Sequence, residues 1–149
     1  MKYFTILLLS CLSATAFSQE GEPPQPSSEG IYESVEQMPL YRADCPEEYE
    51  EAKPCADHAM LKYIYENLKY PSKARKKGIE GMVVVSFVIE RDGTVSNASI
   101  YRDIGYGAGE EVLRLVQAMN ANGPSWLPGT QDGKPVRVEF KLPVKFSLS

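Results

Sequence analysis

Histidine occurs once in the 149 residues, as His58, and cysteine three times, as Cys11, Cys45 and Cys55. So small a set leaves little for a multi-ligand metal site. A basic excess is also lacking, because the formal net charge is −4; a phosphate-seeking surface, and with it a nucleic-acid partner, is excluded. No apolar run reaches the roughly 20 residues of a membrane-spanning helix. What is present suffices for a core: 43% hydrophobic against 24% charged residues rules out disorder of the whole chain. The length fits one domain of about 100–150 residues, once extensions are set aside.

The first 18 residues carry Lys2, an apolar centre through Phe4–Leu9, and small residues up to Ala16 and Ser18. This is the pattern of a secretory signal peptide, with cleavage expected near Ser18-Gln19 and export of the mature chain. A retained membrane anchor and lipidation at Leu8-Leu9-Ser10-Cys11 are the rival readings, and both need a longer apolar stretch. Export leaves Cys45 and Cys55 as an even pair in an oxidising compartment, and a structural disulfide is expected between them. Their separation is far from the Cys-x-x-Cys of a redox pair.

Residues 19–30 hold proline, glutamate and serine with no large apolar anchor, and read as a disordered leader. Residues 31–57 form an acidic segment around the cysteine pair, and 58–149 the folded domain. Between residues 19 and 60, eleven acidic side chains face only Arg42 and Lys53, a balance of −9; from 61 to 149 the balance is +4. A solvated acidic front explains this. The alternative is that the front folds back over Lys73, Arg75, Lys76 and Lys77.

Met60, Leu61, Ile64 and Leu68 recur at helical spacing, predicting a helix over 56–68 with Asp57 as its cap. Tyr70-Pro71 ends it, because a residue before proline leaves the α region. A short helix over 72–77 follows, stopped by Gly78. Val83, Val85, Phe87 and Ile89 alternate as a strand, Arg91-Asp92-Gly93 turns the chain, and a returning strand runs from Thr94 to Tyr101 with a bulge. A third helix is predicted over 109–120, with Val112, Leu115, Val116 and Met119 on its inner face. The glycines before it, Gly105, Gly107 and Gly109, lack the lysine of a phosphate loop, and Glu110 and Glu111 would repel an anion. The final strand, 136–146, alternates without a break: Val136, Val138, Phe140, Leu142, Val144 and Phe146 on one side, Arg137, Glu139, Lys141, Pro143 and Lys145 on the other. Pro143 cannot donate to a ladder and assigns this strand to a sheet edge, where a further chain can add.

Several of these residues stand in the order of a known family. Tyr70-Pro71, Ala74-Arg75 and Gly78-Ile79-Glu80-Gly81 are followed by Val83–Ile89, Asp92-Gly93, Val95, Asn97-Ala98 and Ile100. The string closes with Trp126-x-Pro128-Gly129, Gly133-Lys134-Pro135-Val136 and Pro143-Val144-x-Phe146. This order resembles the C-terminal domain of TonB-type energy transducers, and Val35–Pro39 is similar to the stretch preceding that domain in transducers of Bacteroides-type bacteria. The resemblance implies an α+β fold, a three-stranded antiparallel sheet backed by two helices. It also implies a partner: an outer-membrane TonB-dependent receptor, whose periplasmic box peptide adds as a strand beside the last one. The implied contacts are Asn67, Tyr70 and Pro71, with Val138, Glu139, Phe140, Lys141, Leu142, Pro143, Val144 and Lys145.

Two features depart from that family. A cleavable signal and a short leader replace the membrane helix and long spacer that couple a transducer to its motor, so an accessory role in transport is expected. The Cys45–Cys55 segment is an insertion placed to decorate or cover the edge. Self-pairing of the same edge in a homodimer is the competing reading. Enzymatic activity is not expected: His58 beside Asp57 reads as a helix-start or surface residue, and Asp92, Asp103 and Asp132 sit in turns where aspartate has local roles. Neither a cofactor nor a small-molecule substrate is expected.

Overall fold

The uninterrupted alternation of the last strand determines where the core lies. The computed structural model describes residues 21–149, and the signal sequence with Cys11 falls outside that range. In chain order the elements are β1 (Ile31–Tyr32), β2 (Leu40–Tyr41), α1 (Tyr49–Asn67), α2 (Ser72–Lys76), β3 (Gly81–Ile89), β4 (Val95–Arg102), α3 (Ala108–Ala118), β5 (Trp126–Leu127), β6 (Gly129–Gln131) and β7 (Lys134–Phe146). β7 pairs antiparallel with β3 in unbroken register from Gly81↔Phe146 to Ile89↔Val138, and β3 pairs antiparallel with β4. The result is the expected α+β class, with β3 in the centre.

One face of this sheet is apolar. Val83, Val85, Phe87 and Ile89 of β3 lie beside Leu142, Val144 and Phe146 of β7, and all are buried. Met60 and Ile64 of α1 and Val112, Leu115 and Val116 of α3 close over them. Each large side chain so buried contributes about 1.5–3 kcal/mol before its ordering entropy is charged against it. Tyr63 Oη donates to the Leu115 carbonyl at 2.9 Å, and the Lys69 amide to Glu111 at 2.8 Å, locking α1 to α3. The opposite face carries Val84, Ser86 and Val88 beside Pro143, Lys141 and Glu139.

Several expectations need correction. α1 begins seven residues earlier than predicted and runs through Pro54 and through the expected junction at 57/58. Ala52, Ala56, Met60 and Ile64 are its buried residues, one stripe at i, i+4 spacing, and their burial outweighs the amide that proline lacks. Pro54 sits on the exposed side, where water can satisfy the carbonyl it leaves free. Asp57 is therefore inside the helix, paired with Lys53 at 2.8 Å, and caps nothing. The sheet also has more strands than three. β1 lies parallel on β7, β6 forms a tight hairpin with β7, and β2 pairs with β5 in a separate ribbon. Each added strand is two or three residues long, too short to leave a periodic trace in sequence.

The acidic front does not fold over the basic cluster. Among the described residues no ion pair joins residues 21–60 to Lys73, Arg75, Lys76 or Lys77. Glu47, Glu48, Glu50 and Glu51 cluster at the start of α1, while the cations follow its end, about 28 Å away along a 19-residue helix.

Candidate functional site

A strand offers its backbone alternately to its two sides, so the unpartnered groups of β7 can be assigned one by one. Lys145 donates its amide to Tyr65 Oη at 3.0 Å, away from β3. With the β3 register unbroken, every odd residue of β7 points its backbone groups outward, and every even residue toward β3. Pro143 occupies an outward position, which is why its missing amide costs the ladder nothing.

Part of this outer edge is already used. β1 runs parallel to β7 with Ile31 opposite Arg137 and Tyr32 opposite Val138. Bonds in a parallel pair slant from one residue to the neighbours of its partner, so β1 engages Arg137 and the Glu139 amide. Arg137 holds the junction. Its guanidinium binds Glu90 through two nitrogens, at 2.8 and 2.9 Å, and donates to the Glu29 carbonyl at 3.0 Å. Those hydrogen bonds from Arg137, helped by one from Ser96, hold the Glu90 carboxyl below its ordinary range against the opposing effect of burial. Tyr65 closes the far end. On the side away from β3, the stretch from Glu139 to Pro143 has no strand opposite it among the described residues.

Beside this open stretch lies an apolar groove of about 310 Å³, walled by Met60 and Leu61 of α1, by Phe140, Leu142 and Pro143 of β7, and by Met38-Pro39 at one end. Lys53, Asp57, Leu61 and Tyr65 form one i, i+4 stripe of α1 overlooking the edge, and Leu61 and Tyr65 are 38% and 47% exposed. Solvent-exposed apolar side chains flanking an unpaired backbone make a surface suited to an added strand. The charges of β7 leave the edge clear. Glu139 accepts from Ser86 Oγ at 2.7 Å, and Lys141 Nζ lies 4.7 Å from the Tyr101 ring centre, so both lean across the sheet.

The other sheet edge is poorly suited to such addition. β4 carries two register shifts against β3, and Asn97 has φ +49°. The bulge expected from the broken alternation of Val95, Ala98 and Ile100 is there, and bulges blunt an edge against pairing.

The residues singled out in the sequence divide into groups. Glu139, Lys141 and Pro143 present open backbone groups; Phe140 and Leu142 line the groove. Val138 and Val144 are wholly buried, and Val138 is opposite Tyr32. Asn67, Tyr70 and Pro71 lie outside the open stretch. The Asn67 side chain returns to the Tyr63 carbonyl, Tyr70 donates to the Ile79 carbonyl and stands edge-on to Phe146, and Pro71 packs near Gly107. Leu61 and Tyr65 were missed because as sequence they are ordinary helix residues. Only the packing of α1 sets them beside β7.

The Cys45–Cys55 disulfide is formed, with Cα atoms 5.8 Å apart. It belongs to a small second core of Leu40, Ala52 and Ala56 with Tyr49. The Tyr49 hydroxyl accepts the Met38 amide at 2.8 Å. The insertion therefore builds the end wall of the groove and leaves Glu139–Pro143 uncovered.

These features define a helix-backed antiparallel sheet with one open stretch of strand edge and a groove beside it. The family model described as Gram-negative bacterial TonB protein C-terminal matches residues 66–148, and the chain belongs to that family. The family ties it to TonB-dependent transport, and its members act in the periplasm or at the membrane. Two solution structures of the Helicobacter pylori TonB C-terminal domain are similar at 25% identity. The one of residues 179–285 gives a TM-score of 0.47, covering 60% of this chain and 78% of that one; the one of residues 194–285 gives 0.44, covering 61% and 91%. No curated protein matches the chain. Among the described residues no helix is long and apolar enough to cross a membrane, and no cluster of His, Cys, Asp and Glu could hold a metal.

Proposed function

We propose that this chain is an exported, non-catalytic partner of an outer-membrane TonB-dependent receptor, accessory to transport. It binds an extended periplasmic segment of the receptor as an added strand. The observation that carries this reading is the open backbone of Glu139–Pro143 next to the apolar groove. Main-chain hydrogen bonds supply affinity, and every second guest side chain enters the groove beside Leu61, Met60 and Phe140. The contacts are Glu139, Phe140, Lys141, Leu142 and Pro143. Tyr70, edge-on to Phe146, supports the end of β7.

Titration with a synthetic receptor box peptide, followed through backbone amide shifts, tests this. Shifts are expected at Glu139 and Lys141 and along Leu61–Tyr65. Lys141→Pro removes the Lys141 amide from the open edge and spares the β3 ladder, as Pro143 already does. The variant should keep its melting temperature within a few degrees and lose at least about fivefold in affinity, one net hydrogen bond plus the clash of the ring with the guest. Unchanged affinity in Lys141→Pro, or no shift at the edge, refutes the reading.

A further inference from the structure

The two ends of the open stretch are closed by the backbone of β1 and by a side chain of α1, and together they fix what a guest must offer. At one end the pairing of Tyr32 opposite Val138 engages the Glu139 amide. At the other, Tyr65 Oη accepts the Lys145 amide. Pro143 between them has no amide to give. What stays open is three carbonyls, of Glu139, Lys141 and Pro143, and one amide, of Lys141. An ordinary strand edge offers donors and acceptors in equal number.

From this we infer that the window takes a guest of about five residues acting chiefly as a donor, and that Tyr65 is the positioning residue that ends the ladder. Three alternate guest amides donate to the carbonyls of Glu139, Lys141 and Pro143, and one guest carbonyl accepts from Lys141. The count is the same for a parallel or an antiparallel guest, because each outward residue of β7 presents the same groups to either. The phenol stands in for the guest carbonyl that would otherwise meet Lys145. This rests on the strand-addition reading and adds a length and a polarity to it.

Calorimetry on the protein with its disulfide intact, using one receptor box peptide prepared at five and at seven residues, is the test. The seven-residue form extends toward Lys145. In the wild type the two lengths should bind within about twofold of each other. Tyr65→Phe keeps the ring and frees the Lys145 amide, so the longer peptide should gain about two- to tenfold over the shorter. Replacing single peptide amides by esters should weaken binding at three alternate positions and leave those between them unchanged. Two results overturn the inference while leaving strand addition intact: a gain with length already in the wild type, or none in Tyr65→Phe. Equal sensitivity to ester replacement at every position does the same. Absence of shifts at Glu139 and Lys141 with either length overturns both.

Discussion

Arg137 and Glu90 hold the turn at Glu29 against the sheet, and their pairing gives the protein an acid-sensitive joint. Because Arg137 keeps the Glu90 carboxyl below its ordinary range, the folded state binds this proton less readily than the unfolded chain. The contribution to stability is therefore fully present above the ordinary glutamate range, about 4.3, and is lost as pH falls through the lowered value. Comparing thermal melts of the wild type and Glu90→Gln from pH 3 to pH 7 should show a constant gap above about pH 5 that closes below it. A gap that widens in acid would contradict this. Arg137 and Glu90 are separated by 47 residues, and nothing in the local sequence announces that they meet. At Gly93 the local signal was complete: a turn was predicted there, and φ is +83° with the Trp126 carbonyl 2.0 Å from where a Cβ would stand.

Among the elements, α1 depends most on its surroundings. The disulfide fastens its first turns to the chain leading from Pro39, and through Tyr49 to Met38 at the end of the groove. Closing so short a loop stabilises the fold by about 2–3 kcal/mol on the chain-entropy model. The Cys45→Ser, Cys55→Ser double variant should lose about that much in denaturant unfolding, and amide exchange at Met38 should rise more than at Val85. Unchanged exchange at Met38 would separate the disulfide from the groove wall. Elements with long periodic runs were legible in advance: β3, β7 and α3 fall within two residues of their predicted bounds. The start of α1 was not, because Pro54 and the cysteines signal a loop unless Ala52 and Ala56 are known to be buried.

For the whole molecule, the choice between a peptide guest and a second copy turns on what stands beside the edge. Two β7 strands joined about a two-fold axis would carry both α1 helices over one groove. The Lys53–Asp57–Leu61–Tyr65 stripe already overlooks it, and packed helices need axes 8–10 Å apart against a strand spacing near 4.8 Å. The protein should therefore sediment as a monomer across the micromolar range, with its acidic and basic ends kept apart along α1. A concentration-dependent dimer abolished by Lys141→Pro would favour self-pairing instead.

The sequence by itself determined the strand pattern, the α+β class, the cysteine pair and the edge position of the part of the last strand around Pro143. Each of these is written in neighbours two, three or four residues apart, or in a residue that lacks an amide. Only the tertiary structure decided how much of that edge is open. Tyr32 and Tyr65 reach β7 from residues 106 and 80 positions away in the chain, and Met38 reaches the groove through a disulfide-tied loop. Such contacts are chosen by packing against a shared core, and no local period records them.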